Sequence, residues 1–186
     1  DIGCCNGIIS SIIGKSTKNE MYGLDISPSN VRFSRKKGIK AKVADAEKKL
    51  PFEDETFDGV ISSSLIEHLF NHHFHVKEIF RLLKPNGYAV IVTDNDAYWV
   101  NRFLLLFGKN ILDSQPHKSL EENQHIRFFT PGVFKKLFEN HGFMIEKCFT
   151  KYPQIPYLVR FSRKLGNPYI NAFNFGFTIF MKVRKI

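Results

Sequence analysis

The stretch Asp1-Ile2-Gly3-Cys4-Cys5-Asn6-Gly7 joins an acidic residue to a glycine-bearing turn, and residues 8–14 continue it as a predicted helix. Glycine lets the backbone turn sharply and approach a ligand at a helix N-terminus. The dinucleotide fingerprint requires glycine at positions 3, 5 and 8, whereas this chain has Gly3, Cys5 and Ile8. The mismatch argues against a nicotinamide or flavin enzyme. No glycine is followed at P-loop spacing by a phosphate-cradling Gly-Lys-Ser/Thr sequence, which excludes a P-loop.

Strand and helix patterns alternate after this turn. Apolar runs, and an alternating pattern at residues 39–44, predict strands at residues 21–25, 39–44, 57–62, 88–93, 143–149 and 175–183. Helical spacing, with Ser27 and Thr130 as capping residues, predicts helices at residues 28–37, 65–83 and 130–141. Such alternation predicts a parallel sheet that is covered on both faces.

A chain of 186 residues suits one domain with a single core. We divide it into a cofactor-binding half, a lid or insertion, and a substrate-side half, at residues 1–94, 95–124 and 125–186. A strand should precede the first glycine-bearing turn, yet the sequence starts at the residue that should end that strand. Because a missing central strand would leave backbone groups unpaired, we expect a sequence that is shortened at its N-terminus.

Two acidic residues lie at the predicted ends of later strands. Asp25 can accept hydrogen bonds from both ribose hydroxyls of an adenosine ligand, although an acid that favours a helix N-terminus is an equal alternative. Asp45 follows the next strand and would lie near the exocyclic amine of an adenine. Since strand ends meet in one crevice of an open α/β sheet, the first turn and these two acids predict a binding crevice.

The run V-A-D-A-E-K-K-L-P-F-E-D-E-T-F-D-G-V-I-S-S-S-L-I-E-H-L spans residues 43–69, and E-I-F-R-L-L-K-P-N-G-Y spans residues 78–88. These motifs resemble the class I S-adenosylmethionine-dependent methyltransferases, in the family of the ubiquinone-biosynthesis and related small-molecule enzymes. The resemblance covers residues 1–93 and, more loosely, residues 125–142. It implies a Rossmann-like, doubly wound α/β sheet of seven strands, whose last strand runs antiparallel between its neighbours and whose first strand is largely missing here.

The resemblance also implies which residues bind S-adenosylmethionine. Asp1, Gly3, Cys5 and Gly7 would line the methionine and ribose part, Asp25 and Ile26 the ribose and adenine, Asp45 and Ala46 the adenine edge, and Ser62 the first turn after the fourth strand. The family has glycine or another small residue where this chain has Cys5. A catalytically inactive module that keeps the fold for protein or RNA binding is therefore an alternative.

Methyl transfer needs mainly in-line positioning of donor and acceptor, which supplies about 7–11 kcal/mol. An oxygen or nitrogen acceptor also requires deprotonation, and histidine titrates near neutral pH. His125 precedes the late helix, where related enzymes place acceptor-side residues, and we predict that it is the general base. A structural histidine bonded to a neighbouring carbonyl is the alternative. His68, His72 and His75 have a spacing that zinc would accept, but the chemistry needs no metal, and we predict none.

Charge and aromatic content bear on partners. The net charge is +9, and residues 151–186 contain seven Lys or Arg and no acid. The aromatic residues of segments 94–123 and 152–169 predict an acceptor pocket for a molecule with an apolar portion, such as a lipid, a quinone-like ring or a lipid-linked sugar. Packing of these side chains between the lid and the core is an equal alternative. Peripheral contact with an anionic membrane is a further prediction.

A nucleic-acid methyltransferase is the remaining alternative. Such enzymes carry Asn/Asp-Pro-Pro-aromatic where this chain has Ser62-Ser63-Ser64-Leu65, so this alternative is disfavoured. With three cysteines and no membrane-length apolar run, we expect a cytoplasmic protein.

Overall fold

The computed structural model describes residues 1–109, 125–151 and 176–186. The strands are β1 (Tyr22–Asp25), β2 (Lys40–Val43), β3 (Phe57–Ser63), β4 (Leu83–Asp94), β5 (Phe143–Lys151) and β6 (Thr178–Lys185). The helices are α1 (Ile8–Thr17), α2 (Pro28–Arg35), α3 (His72–Leu82), α4 (Trp99–Leu106) and α5 (Pro131–Glu139), with a 3-10 turn at Ile66–His68. The alternation of strands and helices that the sequence predicts is confirmed.

The strands form two hydrogen-bonded groups that Ile2 joins. β1 pairs with β2 in parallel, and the second group has the order β3-β4-β6-β5. Ile2 makes parallel bridges both to Leu24 of β1 and to Ser62 of β3, so it lies in the sheet between these strands. β6 is antiparallel to both β4 and β5, which confirms the predicted last strand. The described residues contain six strands, and the count of seven stays a prediction.

The helix predicted at residues 65–83 is wrong in its first seven residues. Residues 66–68 form a 3-10 turn, Leu69 is extended, and α3 begins only at His72. The Asn71 side chain accepts a hydrogen bond of 3.1 Å from the Phe74 N–H, and such a cap starts a new helix. His68 and His72 therefore do not share a helix face. The break leaves Glu67 and His68 on a turn close to the end of β3.

The hydrophobic core lies between the sheet and the helices that cover it. Ser27 and Thr130 cap α2 and α5 as predicted, each by accepting a backbone N–H with its hydroxyl. On α5, apolar side chains at helical spacing are buried, and Phe134 and Phe138 are fully buried. The same applies to Val76, Ile79 and Leu82 on α3. Of these helices, α2 packs on β1 and β2, α3 on β4 and α5 on β5.

His75 is a fully buried titratable residue on α3. Burial lowers the pKa of its imidazole to about 4 from an ordinary value of 6.5, against the opposing influence of the Ala46 backbone and Glu78. Between these two values the unfolded chain binds more protons than the folded one, so the free energy of unfolding falls as pH falls. We expect urea unfolding to show full stability above pH 6.5 and progressive loss toward pH 4. In His75→Gln the free energy of unfolding should fall less between pH 6.5 and pH 4. An equal fall would show that a group other than His75 causes it.

Candidate cofactor and acceptor site

The turn of residues 3–7 lies at the edge of the sheet where β1 and β3 end. Gly3 donates its N–H to the Leu24 carbonyl at 2.8 Å, which holds the turn against β1. Gly3, Cys5 and Gly7 all have positive φ, at 77°, 48° and 74°. A Cβ at Gly7 would lie 2.9 Å from the Cα of Ser34, so glycine at this position also allows α2 to pack closely. The turn therefore connects Ile2 in the sheet to α1 at the edge where the crevice is predicted.

Asp25 connects this turn to α2. Its carboxylate accepts hydrogen bonds from the Cys5 N–H at 2.8 Å, the Ser27 N–H at 2.9 Å and the Asn30 side-chain amide at 3.1 Å. The carboxylate is thereby fixed at the C-terminal end of β1, and ribose binding by this residue stays a prediction. Ile26, the next residue, is 70% exposed and offers an apolar surface beside it.

The remaining predicted cofactor residues are Asp1, Asp45, Ala46 and Ser62. Asp45 follows β2 and accepts a hydrogen bond of 2.9 Å from the Glu47 N–H, which orders the turn that includes Ala46. Asp1 instead accepts a hydrogen bond from the buried Ser10 hydroxyl of α1. The prediction that Ser62 lies in a turn is wrong: Ser62 belongs to β3 and its side chain is buried. The alternating faces of a strand turn it toward α3, away from solvent.

Cys5 has a left-handed backbone conformation that a side chain disfavours by about 1–2 kcal/mol. We expect Cys5→Gly to relieve this strain, to raise the melting temperature by about 2–8 °C and to raise the affinity for S-adenosylmethionine. Its backbone N–H can still donate to Asp25. Cys5→Ala is the matched control, because it removes the thiol and keeps the strain. A glycine variant that is no better than the alanine variant in calorimetry and thermal melting would contradict the prediction.

A group of acids and histidines lies close to the ends of β3 and β4, and we call it the Glu67 cluster: Glu67, His68 and His125, together with Asp94. Glu67, His68 and His125 each offer a ligand atom, and these atoms lie within 4.8 Å of one another. The rings of His68 and His125 meet edge to face at 4.8 Å between centroids. His125 Nδ1 lies 3.7 Å from an Asp94 carboxylate oxygen at the end of β4.

Glu67 organises this cluster with both its backbone and its side chain. Its carbonyl accepts hydrogen bonds from the N–H groups of Ile126 and Arg127, at 3.0 and 3.1 Å, which fixes the segment that carries His125. Its carboxyl accepts a hydrogen bond of 3.0 Å from the Thr93 hydroxyl. The other oxygen, Oε1, is buried without a hydrogen-bond partner among the described residues. Burial raises the pKa of the Glu67 carboxyl above its ordinary range, although the Thr93 bond acts in the opposite direction.

The histidine group suggested by the sequence does not form. His75 is buried against Ser62, and His72 lies beside His73, with 4.5 Å between ring centroids. His125 joins His68 instead, across 57 residues of sequence. Two imidazoles and a carboxylate can transfer a proton or coordinate a divalent cation. The prediction of no metal stays a prediction. The sequence did not lead us to name Glu67, Thr93 or Asp94 as site residues. For Glu67, its position next to His68 and shortly after a strand was a signal that could have identified it.

Helix α4 follows the end of β4 and exposes large apolar side chains. Trp99, Phe103 and Leu106 are 51%, 58% and 78% exposed. The described helices include none that is long and apolar enough to cross a membrane. The second half of the predicted lid, residues 110–124, and the whole of the second acceptor-wall segment, residues 152–169, lie outside the described residues.

Comparison with known proteins agrees with this geometry. Residues 1–91 match the family model of the methyltransferase domain. The mitochondrial ubiquinone biosynthesis O-methyltransferase of Rattus norvegicus is 23% identical over 155 residues, which are 78% of this chain and 44% of that protein. The ubiquinone biosynthesis O-methyltransferase of Rickettsia prowazekii is 26% identical over 131 residues, which are 68% of this chain and 52% of that protein. The chain thus spans about half the length, or less, of these curated relatives.

The solved structures show the same fold. An S-adenosylmethionine-dependent methyltransferase from Thermotoga maritima aligns with a TM-score of 0.74 at 21% identity, covering 100% of this chain and 80% of that one. The α/β sheet with its antiparallel last strand agrees with this similarity. The family match over residues 1–91 includes Asp25, Asp45 and the turn of residues 3–7. Residues 1–91 thus match a methyltransferase domain, and the described residues have the fold of the class I S-adenosylmethionine-dependent methyltransferases.

Proposed function

We propose that this chain transfers a methyl group from S-adenosylmethionine to an oxygen of a small acceptor that has an apolar portion. The observation that carries the proposal is the position of the Glu67 cluster. It lies at the same edge of the sheet as Asp25 and Asp45, just beyond the ends of β3 and β4. A proton acceptor beside a cofactor crevice is the arrangement that methylation of a hydroxyl requires. The names of the ubiquinone O-methyltransferase relatives support the same acceptor class.

The residues of the crevice fit the cofactor. The Asp25 carboxylate is held by three hydrogen bonds within the protein and is only half-buried, so it is preset to accept the ribose hydroxyls. The exposed side chain of Ile26 would lie against the adenine, and Asp45 with Ala46 would meet the adenine edge. S-adenosylmethionine supplies a methyl group that its sulfonium already activates.

The Glu67 cluster would then prepare the acceptor. His125 would take the proton of the acceptor hydroxyl on Nε2, since Nδ1 faces Asp94. The Asp94 carboxylate would stabilise the imidazolium that forms, and the Glu67 carbonyl would keep the segment of residues 125–127 in place. The exposed apolar side chains of α4, such as Trp99 and Phe103, would contact the apolar portion of the acceptor. Binding at this position would orient the hydroxyl in line with the methyl group.

Methyl transfer from labelled S-adenosylmethionine into cell extracts, followed by separation of lipid, aqueous, protein and nucleic-acid fractions, tests the proposal. Label in the lipid or small-molecule fraction is the expected result. Label only in nucleic acid would replace this acceptor class with the alternative considered from the sequence. Cofactor binding without any label would favour an inactive binding module. A parallel reaction with a chelator distinguishes proton transfer by the Glu67 cluster, which should continue, from a role for a divalent cation.

A further inference from the structure

The Glu67 cluster is assembled from two segments that are distant in the sequence. His68 belongs to the 3-10 turn of residues 66–68, and His125 belongs to the stretch before α5. Neither histidine lies in a strand or an α-helix, so no sheet ladder or helix fixes its position. Hydrogen bonds between the two segments must therefore hold the two rings in contact.

Arg127 binds the segment that carries His68 with both its backbone and its side chain. Its N–H donates to the Glu67 carbonyl at 3.1 Å. Its guanidinium donates from Nε to the Leu69 carbonyl at 3.3 Å and from Nη2 to the Phe70 carbonyl at 2.6 Å. The residues on both sides of His68 are thus bound to the residue two positions after His125.

The two carbonyls that the guanidinium binds precede α3. The first carbonyl that accepts within this helix is that of Asn71, which binds the His75 N–H at 3.2 Å. The helix therefore does not hold the chain at Leu69 and Phe70, whereas the guanidinium does. Its donors have a fixed planar arrangement, so two contacts set direction as well as distance. A lysine keeps the charge but has no such fork.

The segment that carries Arg127 is itself attached to the end of β4. The Phe129 N–H donates to the Asp96 carboxylate at 2.7 Å, and the Asp96 N–H donates to the Phe129 carbonyl at 2.9 Å. Asp96 follows the last residue of β4 by two positions. Arg127 therefore connects the turn after β3 to a segment that is fixed beside β4.

We propose that Arg127 is a positioning residue for proton transfer, acting through His125. Its guanidinium holds the turn that carries Glu67 and His68 against the segment that carries His125, and so sets the place of the imidazole relative to the acceptor hydroxyl. The inference rests on the proposed function, since it presumes that His125 is the general base. Misplacement of a reacting group by about 1 Å costs about 10²-fold in rate. Loss of the fork should therefore slow methyl transfer without changing the affinity for S-adenosylmethionine.

Initial rates of label transfer from S-adenosylmethionine into a lipid extract test this on the full chain. Arg127→Met should reduce the rate by about 10²-fold, with unchanged cofactor affinity in calorimetry. Arg127→Lys should be reduced almost as much, because it keeps the charge and loses the fork. In the His125→Ala background, Arg127→Met should cause no further loss, since a residue that acts through the imidazole has no effect once the imidazole is gone.

Arg184→Met is the matched arginine control. Arg184 lies on β6 and donates to the Asn86 carbonyl at 2.6 Å, outside the Glu67 cluster. Its replacement also removes a hydrogen bond from a guanidinium to a backbone carbonyl. It should lower the melting temperature and leave the rate of label transfer unchanged.

The nuclear Overhauser effect between the ring protons of His68 and His125 gives a test that needs no acceptor. It should be present in the wild type and in Arg184→Met, and lost in Arg127→Met. Its persistence in Arg127→Met, or its absence from the wild type, would overturn the inference. A lysine variant with the wild-type rate, or losses that multiply in the double variant, would also overturn it. A wild-type rate in His125→Ala alone, or no label transfer by the wild type, would instead refute the proposed function.

Discussion

Replacing Asp25 with alanine should lower the affinity for S-adenosylmethionine by at least about tenfold, because the ribose hydroxyls lose a charged acceptor worth about 1.5–3 kcal/mol. The structure adds a second effect. The same carboxylate accepts hydrogen bonds from Cys5, Ser27 and Asn30, so its loss also loosens the turn of residues 3–7 and the start of α2. We therefore expect a lower melting temperature in the absence of the cofactor.

Two further variants separate these effects of Asp25. Asp25→Asn removes the charge and keeps an acceptor oxygen, so it should lose less stability than the alanine variant while still binding the cofactor weakly. Asp58→Asn removes an exposed carboxylate from β3, where it is paired with Lys84 at 2.8 Å, and should leave cofactor affinity unchanged. Calorimetry and thermal melting of all three measure the outcome. Normal cofactor binding by Asp25→Ala would show that the ribose is held elsewhere.

Replacing His125 with alanine should reduce kcat for an oxygen acceptor by about 10²–10⁴-fold, the usual contribution of a general base. Affinity for S-adenosylmethionine should stay unchanged, because no predicted cofactor contact involves this residue. The expected signature is a large loss in single-turnover rate with normal cofactor binding. The rate that remains should increase with pH as the acceptor hydroxyl ionises in solution.

His141→Ala is the matched histidine control for this prediction. His141 follows α5 and contacts His73, 3.4 Å between ring nitrogens, and does not belong to the Glu67 cluster. Its replacement should leave kcat nearly unchanged. A His125 variant with the wild-type rate would assign proton removal to another group or to solvent. A variant that also fails to bind the cofactor would point to a structural role.

The features that the sequence predicted correctly depend on local chemistry. Ser27 and Thr130 cap helices because a hydroxyl followed by proline at the first helical position is a local signal. Asp25 and Asp45 were placed correctly at strand ends, because Asp25 ends a short apolar run and Asp45 follows a run of alternating apolar and polar residues. The antiparallel last strand came from the family resemblance, and its register with β4 and β5 is not readable from residue patterns.

The features that were missed depend on contacts between distant segments. Apolar spacing continued from Leu65 into α3, so the break at Asn71 was visible only as a capping side chain. Glu67 and His125 meet because the Glu67 carbonyl binds residues 126 and 127, a contact that backbone groups make without any sequence signature. His75 was assigned to a possible metal group because helical spacing does not show what a buried ring contacts.

The insertion of β6 between β4 and β5 constrains how the chain can fold during synthesis. β4 is complete at residue 94, whereas the strand that pairs with its free edge begins at residue 178. Until the ribosome has released β6, an apolar strand with alternating buried side chains has an unpaired edge, which is the feature that promotes aggregation of nascent chains. Closure of this long loop should also make folding slow compared with helical proteins of similar size. Chaperone dependence should therefore concentrate in the interval between the synthesis of β4 and that of β6.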